Sequence, residues 1–319
     1  MDLSAYIRSK FPNKPPNSAG EIHGPCPFHD DRTKSFSINV SNGVFICGST
    51  KCGVRGNFFL FYKMCENLDS WREVYEALTK PSPASNVDQL FGSAKQKKKQ
   101  SLHVVNEFPA PQFLQDIGHI DYLVERGIPK EICDKFGLMY GVGGKFDRVD
   151  IANTIVAPIF DLDGTYKTFQ ARALVEGKLR WNTPEHSPIQ YLLYGGWLVP
   201  PKDGFIAIVE GASDVWNLNN YGVYSVGLFT SRASKIQLLK IAQLCELSGS
   251  IPVVLLDGDA CIPQKPKNKV AAKDLYNELF ALGLKPRWFP LEKGEDPGGM
   301  SKKRVDEIKV CYEHQGVFY

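Results

Sequence analysis

Short apolar runs alternate with amphipathic segments along the last third of the chain. The runs are FIAIV, VYSV, IPVVLL and PRWF, which begin at Phe205, Val223, Ile251 and Pro286. The intervening segments are long enough for helices and lie near 213–220, 234–246 and 270–282. This alternation predicts a parallel sheet with helices on its faces.

The first third has a different pattern, in which apolar residues recur at every second position. In SFSINVSNGVFIC the alternation surrounds Asn42-Gly43, which is typical of a β-hairpin turn. Further on, SWREVYEALTK has a capping box formed by Ser70 and Glu73. One helical face of that segment carries Trp71, Val74, Tyr75 and Leu78. We therefore predict a small hairpin domain that ends with a helix.

The middle of the chain combines two short helices with a second hairpin. The segment IDYLVERGIPKEICDKFGL predicts two helices that are separated at Gly127 and Pro129. The segment TIVAPIFDLDGTYKTFQARAL predicts a β-hairpin with its turn at Asp163-Gly164. This turn also accounts for Asp161 and Asp163 without any role in chemistry.

Length and composition limit the class of protein. The chain has 319 residues, 43% of them apolar, which allows two or three domains, and its formal net charge is +3. No apolar run approaches the ~20 residues of a membrane span, and the N-terminal MDLSAYIRSKF lacks the order of a signal peptide. We therefore expect a cytoplasmic protein with no membrane partner. No P-loop motif is present, which argues against a P-loop motor.

A segment rich in small, polar and lysine residues interrupts the chain at 81–106. It has no apolar periodicity, so we predict a flexible basic linker. Its lysines either contact phosphate or are only solvated, and both alternatives stay open. These are Lys95, Lys97, Lys98 and Lys99.

Cysteine and histidine residues in the hairpin domain have the spacing of zinc ligands. Cys26 and His29 form one pair, Cys47 and Cys52 form the other, and the predicted hairpin lies between them. Eight cysteines in a cytoplasmic chain favour metal ligands or buried thiols over disulfides. Because four protein ligands leave no open position for water or substrate, we predict one structural zinc.

Two questions about this module stay open. His23 is the main alternative zinc ligand, and Cys65 is a weaker one. The module also carries Phe36 and Phe45 beside several cations, a combination that suits single-stranded nucleic acid because rings stack on bases and cations follow the backbone. The alternative is that both rings form the core of the module. The cations are Arg32, Lys34, Lys51 and Arg55.

Acidic residues follow the predicted parallel strands. Glu210 and Asp214 come after FIAIV, Asp257 and Asp259 after IPVVLL, and Asp296 after the last strand. Because the carboxyl ends of parallel strands line one crevice, we expect these acids to converge. Such a cluster is costly unless cations neutralise it, and Mg²⁺ binds carboxylates together with substrate phosphates. We therefore predict phosphoryl transfer assisted by two or more magnesium or manganese ions, although for Asp214 alone a helix-capping role is the alternative.

These motifs resemble those of one family. CPFHDDRTKSFSIN with the later cysteine pair is similar to the zinc ribbon of bacterial DnaG-type primases, and IVEGASD, VVLLDGDA and LEKGEDP resemble the acidic segments of their Toprim domain. IDYLVERGI, VAPIFDLDGTYKTFQARAL and WNTPEHSP follow the pattern that precedes Toprim in that family. The resemblance covers nearly the whole chain in the family's order.

The resemblance implies a multi-domain α+β fold. An N-terminal zinc ribbon with a small antiparallel sheet would precede a mixed α/β polymerase domain, which contains a Toprim parallel sheet with helices on both faces. The expected domains are a zinc-binding domain for template recognition at 1–80, the linker at 81–106, an N-terminal polymerase subdomain at 107–203, Toprim at 204–292 and a C-terminal extension at 293–319.

The activity implied by this resemblance is synthesis of short RNA primers on a single-stranded DNA template from ribonucleoside triphosphates, by two-metal nucleotidyl transfer. A replicative helicase would be the partner in trans. The metal-binding acids would be Glu210, Asp257, Asp259, Asp214 and Asp296. The nucleotide contacts would be Arg172, Lys178, Arg180 and Asn182, with Arg172 also counted among the catalytic residues.

The chain departs from the family pattern in several places. Leu179 occupies the position of an expected lysine, with Lys178 and Arg180 on either side, and a basic insertion that includes 265–269 follows Asp259. Pro297-Gly298 follows Asp296 where a further acid is common, and an apolar residue near LLYG occupies the position of another lysine. The family's helicase-docking domain has no counterpart after Toprim, which we interpret as a stand-alone primase of a phage or other mobile element. Two alternatives from other classes are a non-catalytic zinc and Toprim clamp on nucleic acid, and a Toprim nuclease.

Overall fold

The chain folds into two compact units. The structure is a computed structural model and describes residues 2–79, 113–175, 177, 180–264 and 269–313. One unit comprises Met1–Lys99, Leu238–Leu247 and Tyr276–Pro286, and the other comprises Gln100–Gln237, Ser248–Leu275 and Arg287–Tyr319. The linker predicted at 81–106, residues Lys178 and Leu179, and residues 265–268 of the basic insertion lie outside the described residues.

The first unit contains a small antiparallel sheet with strand order β1-β2-β3-β4. As predicted, β2 and β3 form a hairpin in which Ile38 pairs with Phe45, and Gly43 adopts a left-handed conformation (φ 71°) in its turn. The strands are β1 Glu21–Gly24, β2 Phe36–Asn39, β3 Phe45–Cys47 and β4 Arg55–Gly56. The helices are α1 Leu3–Lys10, α2 Phe58–Cys65 and α3 Trp71–Thr79.

Aromatic rings form the core of this first unit. The ring centroids of Phe36, Phe45 and Phe61 are 5.6–6.1 Å apart, and each side chain is at most 1% exposed. The hypothesis that Phe36 and Phe45 stack on bases is therefore wrong, because rings that are buried in the core cannot reach a base. The predicted capping box of α3 is present, since the Ser70 hydroxyl accepts a hydrogen bond from the Glu73 N–H at 3.1 Å.

The second unit contains a five-stranded antiparallel sheet of order β11-β10-β9-β6-β5 and a two-stranded ribbon of β7 and β8. In the predicted β9–β10 hairpin, Gly164 is left-handed (φ 79°), and the Asp163 carboxylate accepts a hydrogen bond from the Thr165 N–H at 2.9 Å. The strands are β5 Leu114–Asp116, β6 Met139–Gly141, β7 Lys145–Phe146, β8 Val149–Asp150, β9 Thr154–Phe160, β10 Tyr166–Ala173 and β11 Trp181–Asn182. The two predicted helices are α4 Asp121–Glu125 and α5 Lys130–Phe136.

The predicted parallel sheet has the strand order β13-β12-β14-β15. Strand β12 pairs with β13 on one side and with β14 on the other, so the chain passes from β12 to β13 in one direction and from β14 to β15 in the opposite direction. Such a reversal is a topological switch point, where crevices for ligands form at the carboxyl ends of the strands. The strands are β12 Phe205–Val209, β13 Ser225–Gly227, β14 Ile251–Val254 and β15 Arg287–Trp288. The helices are α6 Ala212–Asn220, α7 Lys235–Ser248, α8 Ala271–Ala281 and α9 Lys302–Glu313.

A single apolar core fixes the site-bearing strands of the second unit. Ala207 and Val209 of β12, Trp216 of α6 and Leu255 after β14 are fully buried in it. The predicted fold class, an antiparallel zinc ribbon followed by a mixed α/β region with a parallel sheet, is therefore confirmed. None of the described helices is long and apolar enough to cross a bilayer.

Candidate zinc centre and acidic crevice

Four side chains of the first unit converge as the sequence predicts. Among the described residues, Cys26, His29, Cys47 and Cys52 are the group of metal-ligating side chains whose ligand atoms all lie within 4.8 Å of one another. The Sγ atoms of Cys26 and Cys52 are 4.0 Å apart, as are Cys47 Sγ and His29 Nδ1. A tetrahedral zinc with Zn–S bonds of about 2.3 Å would place its sulfurs about 3.8 Å apart, so the group has the dimensions of a structural zinc site.

A carboxylate orders the loop that carries the first two ligands. Asp31 accepts hydrogen bonds from the N–H groups of Cys26, Thr33 and Ser35 at 2.8–2.9 Å. The Ser35 hydroxyl lies 3.2 Å from Cys47 Sγ and also donates to Asp31 at 2.8 Å. Burial and the neighbouring Cys47 and Cys52 raise the pKa of the Cys26 thiol to about 12, so a cation in the site is needed to keep the thiolate.

The two alternative zinc ligands lie apart from this group. His23 is exposed on β1, where its Nε2 is 3.3 Å from a Glu21 carboxylate oxygen. Cys65 is the last residue of α2 and is not in the group. Neither alternative is therefore correct.

Four predicted acids line one crevice of about 290 Å³ in the second unit. Glu210 follows β12, Asp214 lies in the first turn of α6, Asp257 follows β14, and Asp296 precedes a short 3-10 helix. Two of them also lie close to Gly298, because a Cβ built there would be 2.7 Å from Asp214 Oδ1 and 3.0 Å from Asp296 Oδ1. The switch point of the sheet thus brings together acids that are up to 86 residues apart, from Glu210 to Asp296.

Burial and neighbouring charges raise the pKa values of three acids in this crevice. Burial and the charges of Asp257 and Asp259 raise the pKa of Glu210 to about 7. Burial and the charge of Asp257, followed by those of Asp296 and Glu210, raise the pKa of Asp214 to about 8. Burial and the charges of Asp296 and Asp259 raise the pKa of Asp257 to about 6. The carboxylates of this crevice are therefore more stable when they bind protons or cations than when they are charged and unpaired.

Two loops hold the carboxylates in position. Asp214 Oδ2 accepts a hydrogen bond from the Gly211 N–H at 2.7 Å, so this acid does cap α6, while Glu210 accepts one from the Asp257 N–H. The Gly258 N–H donates to the Glu295 carbonyl at 2.8 Å, and a Cβ on Gly258 would overlap the Glu292 carbonyl. A glycine between the two aspartates is therefore required for the loop after β14 to pack against residues 292–295.

Cationic side chains also line the crevice. Arg172 is only 8% exposed, and its guanidinium carbon lies 4.1 Å from the Tyr122 ring centroid and 5.4 Å from that of Trp181. Among the described residues, its Nε has no hydrogen-bond partner. Burial lowers the pKa of Arg172. The exposed Arg180 lines the same crevice.

The crevice fits divalent cations. Asp257 Oδ1 is buried without a hydrogen-bond partner among the described residues, and it lies among carboxylates with raised pKa values. Carboxylate oxygens are the ligands that Mg²⁺ and Mn²⁺ prefer. Because Mg²⁺ binds through one or two carboxylates and keeps water and phosphate ligands, an open crevice suits it better than a closed cage.

Some predicted residues do not line the crevice. Asp259 is exposed in a 3-10 helix, although its charge still reaches Glu210 and Asp257. Asn182 pairs with Ala171 in the β10–β11 ladder and follows Trp181, which does line the crevice.

One residue that lines the crevice was missed in the sequence. Arg126 lines the crevice, and its Nη1 donates a hydrogen bond to the Gly298 carbonyl at 2.9 Å. These residues are 172 positions apart, so only the tertiary structure brings them together. One feature of the sequence could have indicated this residue, because Arg126 lies at the end of a short helix, just before Gly127.

The fold and the two sites define a class of protein in which a zinc ribbon is combined with an α/β region that carries an acidic crevice. Residues 13–90 match the CHC2 zinc finger family. The chain is similar to the DNA primase of Deinococcus radiodurans, with 26% identity over 281 residues that cover 76% of this chain and 47% of the relative. It is also similar to the DNA primase of Clostridium acetobutylicum, with 26% identity over 326 residues that cover 89% of this chain and 52% of the relative.

A solved structure has the same fold. The zinc-binding and RNA polymerase domains of the Aquifex aeolicus primase match 98% of this chain and 83% of that chain, with a TM-score of 0.50 and 21% identity. The chain spans about half the length of the curated relatives it matches. The resemblance to DnaG-type primases that the motifs predict is thus confirmed.

Proposed function

We propose that this chain is a primase, which synthesises short RNA primers on single-stranded DNA by nucleotidyl transfer. One observation carries the proposal, namely the convergence of acids and arginines in one crevice on a chain that also has a zinc ribbon. The acids are Glu210, Asp214, Asp257 and Asp296, and the arginines are Arg126, Arg172 and Arg180. Its similarity to DNA primases and to the fold of a primase supports the same activity.

The proposed reaction joins two nucleotides. The 3′-oxygen of the growing primer forms a bond to the α-phosphorus of a ribonucleoside triphosphate, the bond to the β-phosphate oxygen breaks, pyrophosphate leaves, and the hydroxyl proton passes to solvent. Two magnesium or manganese ions, held by Glu210, Asp257 and their neighbours, would make the hydroxyl more acidic and neutralise the pyrophosphate. No nucleophilic side chain is needed.

The protein's own groups would bind and orient the triphosphate. The start of α6, at Ala212 and Ser213, lines the crevice, and a helix N-terminus attracts phosphate oxygens. Arg172 would help to balance the charge of the phosphates. The rings of Tyr122 and Trp181 hold its guanidinium at the crevice by cation–π contacts.

The zinc ribbon would contact the template through cations and not through its phenylalanines. Arg32 is 90% exposed at the side chain, Lys51 is exposed, and the core position of the rings leaves the backbone phosphates as the accessible partner. The resemblance also implies a replicative helicase that brings the chain to its template.

A primer-synthesis assay tests the proposal. Wild type and Glu210→Gln would be supplied with labelled ribonucleotides, Mg²⁺ or Mn²⁺, and single-stranded DNA. We expect short template-dependent RNA from the wild type and at least a 100-fold loss in the variant, because the substitution removes a carboxylate ligand. Glu131→Gln, the same chemical change on an exposed residue of α5, is the matched control and should retain activity. Cleavage of the DNA would indicate a nuclease instead, and binding without chemistry would indicate a clamp.

A further inference from the structure

Two aromatic side chains share the crevice with the acids and arginines. Trp181 of β11 and Phe229, which follows β13, are both half-buried and line it. Metal ligation and phosphate binding require neither ring, because the carboxylates and the arginines account for those interactions. The rings therefore indicate a partner with an apolar or π surface.

Both rings rest on one rigid support. The Trp181 ring centroid is 5.8 Å from that of Trp216, and the Phe229 ring meets Tyr194 edge to face at 6.2 Å. Trp216 and Tyr194 are fully buried, and the Trp216 Nε1–H donates a hydrogen bond to the Tyr194 hydroxyl at 2.8 Å. A buried, hydrogen-bonded pair thus fixes the position of the two crevice rings.

The backbone of Phe229 is in an unfavourable conformation. Its φ of 66° lies in the left-handed region, which is rare for a bulky residue. The preceding segment is anchored beside the start of α6, since the Leu228 N–H donates to the Val209 carbonyl at 3.0 Å and a Cβ on Gly227 would lie 3.2 Å from the Gly211 carbonyl. Glycine would adopt this conformation without strain, yet this chain has phenylalanine at the position. Strained residues of this kind cluster at ligand sites.

On the basis of the proposed function, we infer that Trp181 and Phe229 form the subsite for the nucleobase of the ribonucleoside triphosphate. Its triphosphate would lie against the acids and arginines, and its base would contact the two rings. Stacking on an aromatic ring is tolerant of base identity, because every base has a π face, and a template-directed polymerase needs this tolerance. Arg172, which packs against the Trp181 ring, would link the two halves of the site.

The test compares two probes in the presence of Mn²⁺, ATP and inorganic triphosphate, by isothermal titration calorimetry on the whole chain. We expect the wild type to bind ATP at least tenfold more tightly than inorganic triphosphate. Phe229→Gly and Trp181→Leu should each weaken ATP binding about tenfold and leave triphosphate binding unchanged. Glycine readily adopts the left-handed conformation found at residue 229, so Phe229→Gly should not disturb the fold. Phe229→Tyr and Trp181→Phe keep a ring and should restore ATP binding.

The outcomes separate this inference from the proposed function. If the wild type binds both probes equally, or if Phe229→Gly binds ATP as tightly as the wild type or more tightly, the base subsite is wrong while the phosphate and metal site stands. If the wild type binds neither probe, the proposed function fails and the subsite fails with it. Phe160→Ala, which removes a half-buried ring that does not line the crevice, is the matched control and should bind both probes normally.

Discussion

At the scale of single residues, the acidic crevice depends on how closely backbone segments can approach. Gly258 lies between Asp257 and Asp259, where its N–H donates to the Glu295 carbonyl and its missing side chain makes room for the Glu292 carbonyl. The motif of two aspartates around a glycine thus combines two physical features. Asp257 contributes a carboxylate to the crevice, and Gly258 allows two loops to pack together.

Gly258→Ala should disrupt this contact. The added Cβ would overlap the Glu292 carbonyl, so we expect a loss of about 1–3 kcal/mol in the free energy of unfolding and a large loss of primer synthesis. Gly143→Ala is the control, because no atom of the described residues lies within 4 Å of a Cβ there. Thermal denaturation and the primer assay measure both effects, and equal behaviour of the two variants would contradict the packing argument.

The raised pKa values predict how stability depends on pH when no Mg²⁺ or Mn²⁺ is added. The folded pKa values of Asp257, Glu210 and Asp214 are about 6, 7 and 8, above the unfolded values near 4, so the native state binds more protons between those limits. The free energy of unfolding of the zinc-loaded protein without these ions should therefore fall as the pH rises from about 4 to about 8. Thermal denaturation across this range measures the slope.

Added Mg²⁺ and one variant test whether these carboxylates cause the pH dependence. Mg²⁺ replaces the protons, so its stabilising effect should increase with pH over the same interval. Asp214→Asn removes the group with the highest pKa of the three and should flatten the decline between about pH 6 and pH 8. A slope that Asp214→Asn leaves unchanged would show that the carboxylate does not titrate there.

At the scale of elements, the zinc ribbon joins its two ligand pairs through a hairpin and one ordered loop. The β2–β3 pairing places Phe36 opposite Cys47, and Asp31 holds the loop after Cys26 by accepting three backbone hydrogen bonds. The ligands are therefore fixed from two sides, by a strand ladder and by a carboxylate. Neither the strand pairing nor the Asp31 carboxylate supplies an atom that would bind the metal.

Asp31→Ala should weaken zinc binding without changing a ligand. Loss of the three backbone hydrogen bonds frees the Cys26 loop, and we expect a 10- to 100-fold loss of zinc affinity, as is usual for groups that orient metal ligands. Asp30→Ala is the matched control, since the exposed carboxylate of this neighbouring acid lies 3.8 Å from the exposed Arg32 guanidinium. Competition with a coloured zinc chelator measures the affinity. Equal zinc retention by both variants would contradict the role of Asp31.

At the scale of the whole molecule, the two candidate metal sites are built on different principles. The zinc site is made of ligands within 27 consecutive residues, from Cys26 to Cys52, and holds a small aromatic core together. The acidic crevice collects residues from Arg126 to Asp296 at the edge of a sheet that has its own apolar core. Loss of the metal from one site should therefore leave the fold around the other site intact.

Removal of zinc should unfold residues 20–60 selectively. In hydrogen–deuterium exchange after chelation, β1 to β4 should lose protection, because a ribbon of this size depends on its metal, whereas β12 and β14 should keep theirs. Cys47→Ser should reproduce this result, and Cys311→Ser, at an exposed cysteine outside the ligand group, should not. Loss of protection in β12 and β14 as well would contradict the independence of the two sites.

The sequence was most informative where a local pattern or a simple rule of topology decides the structure. The Asn42-Gly43 and Asp163-Gly164 turns follow from local backbone preferences, and the observed hairpins lie there. The short strands β5, β6 and β11 were not predicted, because two or three residues are too few to show a period of two. Their place in a sheet is decided by longer neighbours such as β9.

By itself, the sequence determined the candidate residues for chemistry: the spacing of Cys26, His29, Cys47 and Cys52 selected the candidate zinc ligands. It also placed acids after two parallel strands, and parallel strands end at the same edge. Only the tertiary structure decided what faces those acids and which rings are free to bind. Arg126 reaches Gly298 across 172 positions, and the core closes over Phe36 and Phe45 while leaving Trp181 and Phe229 at the crevice. The physical reason is that burial depends on contacts between distant segments, which no local period records.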